Sequence, residues 1–541
     1  MRHRLVSSPI TALSIGLGLS GILFALEWNV YLPLHDDGFV WYGVWRVSLG
    51  ELPMRDFQSY DPGRYYWIAA WQWLLRSDVP AMRAADAVFA GVGVAFSVLM
   101  SRRVLDRTWQ VLLMSGVVTL WFFPAFKPYE PAFALAATWL GARLLERPSL
   151  ERHAYLGLCV GLGACFGRNI GLYLAVGSFA LLLFADRTPR AAADRLPLLK
   201  SRLAAWTGGL VVGYLPMLLL VALAPGFLAT FAETVREMFA SGATNIPAPV
   251  PWPWLVETAG LSLVGALRPL VLGTFFVVVP LFCAATLISA TIRRGAVEPL
   301  WLAATCISAP YLHHAFARAD VSHQAAVVPT FLIAALAASA TLVPRPAMER
   351  RARDAALSAF LVGVAAVTAV SILQHRPLWA RIQTGVTTLV PFELDGTTYL
   401  IHRRGSRELR TLRTVDAAVT NSGRELLIVP YMPGAYRLLK RRAPVSRLLF
   451  MNTASEQLQH RVIRQMESND VGWVVVSDRP FKGDERYRLS RTYPLLAKYL
   501  RDNYRDSGML PGEQPLRLLA SDDSVGVRLS VEAIGVAGVR R

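Results

Sequence analysis

Two tracts of this chain concentrate side chains able to do chemistry. The first, Leu34-His35-Asp36-Asp37-Gly38, follows an apolar stretch directly. Adjacent carboxylates at the edge of a membrane segment are costly to place. One member of such a pair, held back from ionising by its neighbour and by poor solvation, suits a general base. The pair equally suits the first turn of a following helix, where negative charge is favoured, and both readings stay open. Downstream lie Gly50 to Phe57, with Arg55 and Asp56, and Pro62 to Tyr66, with Arg64. The second tract runs from His313 to His323. Its Arg318 offers a planar fork of donors for a phosphate, which Asp320 and His323 could orient, or those two could bind a metal. The alternative is a solvated turn in which Arg318 and Asp320 pair with each other. Three further charges interrupt apolar sequence: Arg168, followed by Asn169, and Lys127 with Glu130. Snorkelling to the interface accounts for Lys127, whereas Arg168 between two short apolar runs suits a cavity better than lipid.

The elements that position these residues follow from composition. The 541 residues are 54% hydrophobic and 17% charged, with a mean hydropathy of +0.37. That is too apolar for a soluble globular chain and indicates a polytopic α-helical membrane protein. The stretch from Pro9 to Trp28 is long enough to span and reads as a retained signal anchor. Further runs cover 80–101, 108–126, 129–145, 154–167 with 170–185, 203–224, 269–292, 297–312, 324–343 and 355–374. Threaded in order they give about eleven spans. Arg2, Arg102/Arg103/Arg107, Arg143/Arg147/Arg152, Arg187 to Arg202, Arg293/Arg294 and Arg345 to Arg353 then share one side, which the positive-inside rule makes cytoplasmic. The N-terminus is on that side. This threading requires 154–185 to be two short antiparallel helices turning at Gly167-Arg168-Asn169.

Charge density divides the chain again. Residues 1–374 carry 29 basic and 21 acidic side chains, and 375–541 carry 27 and 17. The tail therefore has the charge content of a water-soluble domain, and the runs Glu425 to Pro430 and Val471 to Val476 read as strands among helices. The expectation is a transmembrane domain over 1–374, with a first outer loop at 29–79, and an outer α/β domain over 375–541. The net charge of +18 is distributed between orientation signals and this tail, and needs no nucleic acid. Cys159, Cys165, Cys283 and Cys306 all lie in apolar runs, where a buried thiol is the default.

On this topology the candidate residues face outward. No P-loop, G-x-G-x-x-G after a strand, G-x-S-x-G, H-E-x-x-H or CxxC is present, so nucleotide-driven, serine-hydrolase and zincin chemistry have no motif support. A transferase on that side needs a donor activated by a membrane-borne phosphate, which points to a lipid-linked sugar.

With these residues in view, the chain resembles the bacterial GT-C glycosyltransferases, the group around the protein mannosyltransferases, the lipid A aminoarabinose transferases and the rhizobial lipopolysaccharide transferases. The resemblance rests on Asp36-Asp37, where the family usually has Asp-Glu, on Gly50 to Phe57 followed by Pro62 to Tyr66, on Arg168-Asn169-Ile170-Gly171, and on Arg318 to His323. It covers 1 to about 374. It implies an inverting transfer from a polyprenyl-phosphate sugar to a hydroxyl of a glycan, lipid or protein. Asp36 would be the base, with Asp37, shorter than the usual Glu, leaving open which carboxylate reaches the acceptor. Arg55, Arg64, Arg168 and Arg318 would neutralise the phosphate leaving group, supported by Asp56, Lys127, Glu130, Asn169, Asp320 and His323. Some relatives need a divalent cation, which the Asp/His content permits. Two other classes fit an outward, lipid-linked site less well. A transporter or flippase of lipid-linked glycan would space charges through the bilayer, and a ligase of preassembled glycan usually has a longer late outer loop than 313–323.

Overall fold

The computed structural model describes residues 8–185, 192–241, 246–293, 297–342, 350–383, 389–481, 483–512 and 515–521. Several of the basic residues used above to orient the chain, including Arg2, Arg187, Arg190, Arg294 and Arg345, lie outside them. The described residues form two compact units. One is drawn from Met1–Trp28, Arg83–Ala224 and Asn245–Trp379, the other from Asn29–Met82, Pro225–Thr244 and Ala380–Arg541. Composition divides the chain at 374; packing also brings two earlier segments together with the C-terminal residues.

The first unit is helical. Four described helices are long and apolar enough to cross a bilayer: Pro9–Glu27, Val79–Ser101, Leu263–Ile292 and Arg351–His375. A fifth pair, Pro197–Gly213 and Leu215–Leu223, meets the same condition but bends by 57°. Pro216 supplies the cause, because it has no amide to donate and crowds the preceding turn. Shorter apolar helices are Thr108–Leu120, Arg168–Phe184 and Val328–Leu342. Helix Pro299–Ala317 packs against Tyr129–Glu146, Arg168–Phe184 and Val328–Leu342. Helices Leu150–Phe166 and Ala192–Gly213 meet along glycines spaced four apart, Gly157 and Gly161 on one and Gly209 and Gly213 on the other. A Cβ at Gly157 would lie 1.9 Å from the Trp206 carbonyl oxygen, and one at Gly209 2.0 Å from that of Ala154. The backbones touch, so only hydrogen fits there. All four cysteines are buried and free.

Buried polar pairs fix this unit from within. Arg376 donates through Nε and Nη2 to the Glu27 carboxylate at 3.0 and 2.5 Å, and through Nη1 to the Phe122 carbonyl at 3.0 Å. Trp121 Nε1 donates to Thr368 at 2.9 Å and Trp301 Nε1 to Thr286 at 3.0 Å. Each satisfies a donor that hydrocarbon would leave bare.

The second unit is built on β1 (Leu389–Leu394), β2 (Thr397–His402), β3 (Glu425–Val429), β4 (Val471–Val476), β5 (Tyr504–Leu510) and β6 (Leu516–Ser521). β1 and β2 form a hairpin, and the others a sheet of order β3-β4-β6-β5. β3 and β4 are parallel, β4 and β6 antiparallel, and β5 and β6 antiparallel. The hairpin turns at Asp395 and Gly396, both at positive φ (47° and 75°), as a tight two-residue turn demands. Leu427, Val429, Val462, Met466, Val474, Tyr493 and Leu496 fill the core beside the sheet. Sequence reading found β3 and β4, whose apolar runs are unbroken; β5 and β6 alternate with charged residues and were hidden among polar sequence.

Residues from the stretch 29–79 belong to the core of this unit. Tyr31 N donates to Leu400 O at 2.9 Å and Leu400 N to Asn29 O at 2.8 Å, adding a short parallel bridge to β2. Gly434 N donates to Leu34 O at 3.0 Å, and a Cβ on Gly434 would meet the Pro33 carbonyl oxygen at 2.1 Å. Gln58 Oε1 accepts from Leu448 N and Leu449 N at 2.8 and 3.0 Å. The stretch 225–254, read from sequence as a loop, contains the helix Phe227–Ser241. Glu233 and Glu237 on it pair with Arg461 and Arg447 at 2.5 and 3.5 Å, contacts that no local pattern announces. The second tract likewise begins in a helix, since Pro299–Ala317 continues five residues past the end of the span read at 312.

Candidate functional site

In the second unit Asp36 and Asp37 occupy the first turn of helix Asp36–Ser48, whose N-cap residue His35 makes no side-chain capping bond. The two carboxylates behave differently. Asp37 Oδ1 accepts from Gly38 N at 3.1 Å, a local contact at a helix start. Asp36 is exposed, and its Oδ1 accepts from Tyr431 Oη at 3.0 Å. Tyr431 lies just beyond β3, with its ring 6.5 Å from His35 and 6.4 Å from Phe39. Burial, then the neighbouring Tyr60 and Asp36, pushes the Tyr431 phenol well above its ordinary value, so it remains a donor throughout any neutral range. Asp37 thus makes a local bond at the helix start, while Asp36 is bonded by a hydroxyl and open to solvent.

Arg55 and Asp56 come together as a fork. Nε and Nη2 donate to the two carboxylate oxygens at 2.8 and 2.9 Å, and Leu52 N donates to Asp56 Oδ2 at 2.7 Å. The hydrogen bonds from Arg55 hold the Asp56 carboxyl below the usual range. Arg64, in the first turn of helix Pro62–Leu75, is 2% exposed and lies 4.5 Å over the Tyr60 ring. It is packed against an aromatic face more than it is presented to solvent.

In the first unit the helix breaks at Gly167, whose φ of −173° is extended backbone, so that Arg168 and Asn169 open helix Arg168–Phe184. Both are half-buried. Arg318 Nε donates to Asp320 Oδ2 at 2.6 Å, and His323 Nδ1 bonds Asp320 Oδ1 at 2.7 Å. Asp320 also caps the turn Val321–Gln324, accepting from His323 N at 3.1 Å. Burial would raise the Asp320 carboxyl, but the bond from His323 and the charges of His323 and Arg318 outweigh it and hold it well below the carboxylate range. The three side chains expected to cooperate are therefore joined through Asp320.

The tip carrying Lys127 and Glu130 meets this tract. The His314 ring lies 4.6 Å from that of His323, tilted by 34°, and is within electrostatic reach of Lys127 and Asp320. Glu130 is 6% exposed and Tyr311 0%. Among the described residues neither Glu130 Oε2 nor the Tyr311 hydroxyl has a hydrogen-bond partner. Tyr173 Oη bonds His313 Nδ1 at 3.0 Å, and its ring lies 5.0 Å from that of Tyr311. Among the described residues no group of three or more His, Cys, Asp or Glu side chains is arranged to hold a metal ion.

Sequence reasoning missed Tyr431, Tyr173 and Tyr311, whereas His314 lay within the tract it singled out. Tyr431 carried one usable signal, its place immediately past the C-terminal end of a parallel strand, where α/β sheets put their sites. Tyr173 and Tyr311 sit in apolar runs and read as packing.

No protein-family model and no curated protein matches the chain. Solved structures do. The crystal structure of ArnT from Cupriavidus metallidurans bound to undecaprenyl phosphate superposes with a TM-score of 0.51 at 12% identity, covering 94% of this chain and 97% of that one. The apo structure of the same protein gives 0.50 at 12% identity, with the same coverage. At that identity the likeness is one of fold, and it extends over nearly the whole of both chains: this multi-pass membrane protein has an ArnT-like fold.

Proposed function

We propose that the chain is an inverting glycosyltransferase that moves a sugar from a polyprenyl-phosphate donor to an acceptor hydroxyl at the outer face of a bacterial inner membrane. The observation that carries this reading is the shared fold with a protein whose structure holds undecaprenyl phosphate. The Asp36 carboxylate, exposed and oriented by Tyr431, supports it. In this reading about eleven spans cross the bilayer, the N-terminus is cytoplasmic, residues 1–374 are the transmembrane domain and 375–541 the periplasmic one.

Asp36 takes the proton of the acceptor hydroxyl as its oxygen attacks the anomeric carbon from the face opposite the phosphate. The bond to the phosphate oxygen breaks, and polyprenyl phosphate leaves with the electron pair. Negative charge grows on that phosphate in the transition state, so a cation aimed there accelerates the step. Arg55, Arg64, Arg168 and Arg318 are the candidates for that role. Arg55 and Arg318 are each already paired with a carboxylate, which fixes their direction at the expense of net charge. Glycan, lipid and protein acceptors all present the hydroxyl this mechanism requires.

The test is turnover of purified protein with lipid-linked sugar. Asp36→Asn should lose roughly 100-fold or more in kcat, the usual worth of a general base, and Asp37→Asn should lose much less. Full turnover in both variants would overturn the assignment.

A further inference from the structure

A cavity of about 410 Å³ in the second unit includes none of the residues assigned above. Trp45, Gln72, Asp78, Asp395, Tyr399 and Arg437 line it. Its polar groups are tied into one connected array. Arg437 Nη2 reaches Asp78 at 2.7 Å and Asp395 at 3.4 Å, Gln72 Nε2 donates to Asp78 Oδ1 at 2.8 Å, and Lys440 Nζ holds Asp395 at 2.9 Å. The Arg437 guanidinium is also 5.8 Å from the Trp45 ring. Its Nε is buried and, among the described residues, has no hydrogen-bond partner.

From this array we infer that the cavity is a saccharide-binding site. Its volume falls in the range of small-ligand pockets. The half-buried Trp45 ring offers a face to the apolar side of a pyranose, while carboxylates, an amide and a guanidinium offer the paired donors and acceptors that vicinal hydroxyls match. The charged lining balances, Arg76 and Arg437 against Asp78 and Asp395, and Arg437 is already engaged by both carboxylates. A lining without net charge suits a neutral polyhydroxylated ligand better than an ion.

The site is separate from the candidate base. Trp45 and Asp36 lie nine residues apart on helix Asp36–Ser48, which is about 14 Å along the axis and two and a half turns, hence opposite faces. The cavity therefore holds a sugar other than the one reacting. Its Arg76, Ser77 and Asp78 directly follow Trp73, Leu74 and Leu75, which are 81%, 62% and 47% exposed. An apolar surface adjoining a sugar pocket suits the headgroup of a glycolipid, and a free glycan offers the same hydroxyl chemistry. The inference goes beyond the proposed transfer and does not depend on it.

The experiment uses the full chain in phospholipid nanodiscs, free of sugar detergents, and methyl glycosides of glucose, galactose, mannose and N-acetylglucosamine as probes. Saturation-transfer NMR should show contact with the ring protons of at least one. Trp45→Ala and Gln72→Ala should each weaken that contact roughly tenfold, the worth of one ring face or hydrogen bond, whereas Asp36→Asn leaves it unchanged. Displacement by nanodiscs containing a glycosyl-diacylglycerol identifies a lipid headgroup as the source, and its absence a free glycan. Absence of saturation for every probe, or binding untouched by both pocket variants, overturns the site. Because the readout is binding without turnover, failure of the glycosyltransferase reading would leave this result standing, and the reverse.

Discussion

Replacing Tyr431 by Phe removes one oxygen, the donor 3.0 Å from Asp36 Oδ1, and leaves the ring packed beside His35 and Phe39. Hydrogen bonds to charged groups are worth about 1.5–3 kcal/mol when buried and net about 0.5–1.5 kcal/mol in ordinary settings. Asp36 is exposed, so the lower range applies. If the bond aims the carboxylate at the acceptor, its loss should lower kcat roughly 2- to 10-fold while the donor KM stays where it was. Thermal stability in detergent should barely move, because the ring remains. The decisive comparison is a double-mutant cycle with Asp36→Asn. In the Asn background the hydroxyl no longer serves a base, so Tyr431→Phe should have almost no further effect. Equal loss in both backgrounds, or wild-type kcat in the single variant, would refute the positioning role.

Three further outcomes follow from the described contacts. The folded-state carboxyl of Asp320 is held below its unfolded value; a depressed acid contributes stability that is complete above about pH 4 and is lost as pH falls further. The melting difference between wild type and Asp320→Asn should therefore shrink as pH falls below about pH 4. Arg376→Ala strands the Glu27 carboxylate inside the first unit and should cost about 3–5 kcal/mol, seen as a large fall in melting temperature; a loss under 1 kcal/mol would contradict the buried pairing. Gly157→Leu places atoms where the Trp206 carbonyl already lies, whereas a Cβ at Gly208, one helix away, meets nothing within 4 Å. The first substitution should abolish a monodisperse peak in size exclusion, and Gly208→Ala should leave it intact.

The amino-acid sequence by itself decided what is set by composition and local period. Apolar runs made helices, the higher charge of the tail marked residues that mix strands with helices, and Asp36-Asp37 fell where a helix begins. Arg318, Asp320 and His323 are close enough in the chain that their union through one carboxylate is a local event. Tertiary structure alone decided the rest. Tyr431 reaches Asp36 across 395 positions, Arg376 reaches Glu27 across 349, and helix Phe227–Ser241 is held by arginines more than 200 residues away. Such contacts depend on how glycine seams and sheet register bring backbones together, and no window of sequence contains both partners. The same holds for the cavity beside Trp45, whose lining comes from the stretch 45–78, the β1–β2 hairpin and helix Pro433–Leu438. A charge that reads as a ligand in sequence can be half-neutralised in the fold, as with Arg55, whose donor fork is taken up by the neighbouring Asp56 carboxylate.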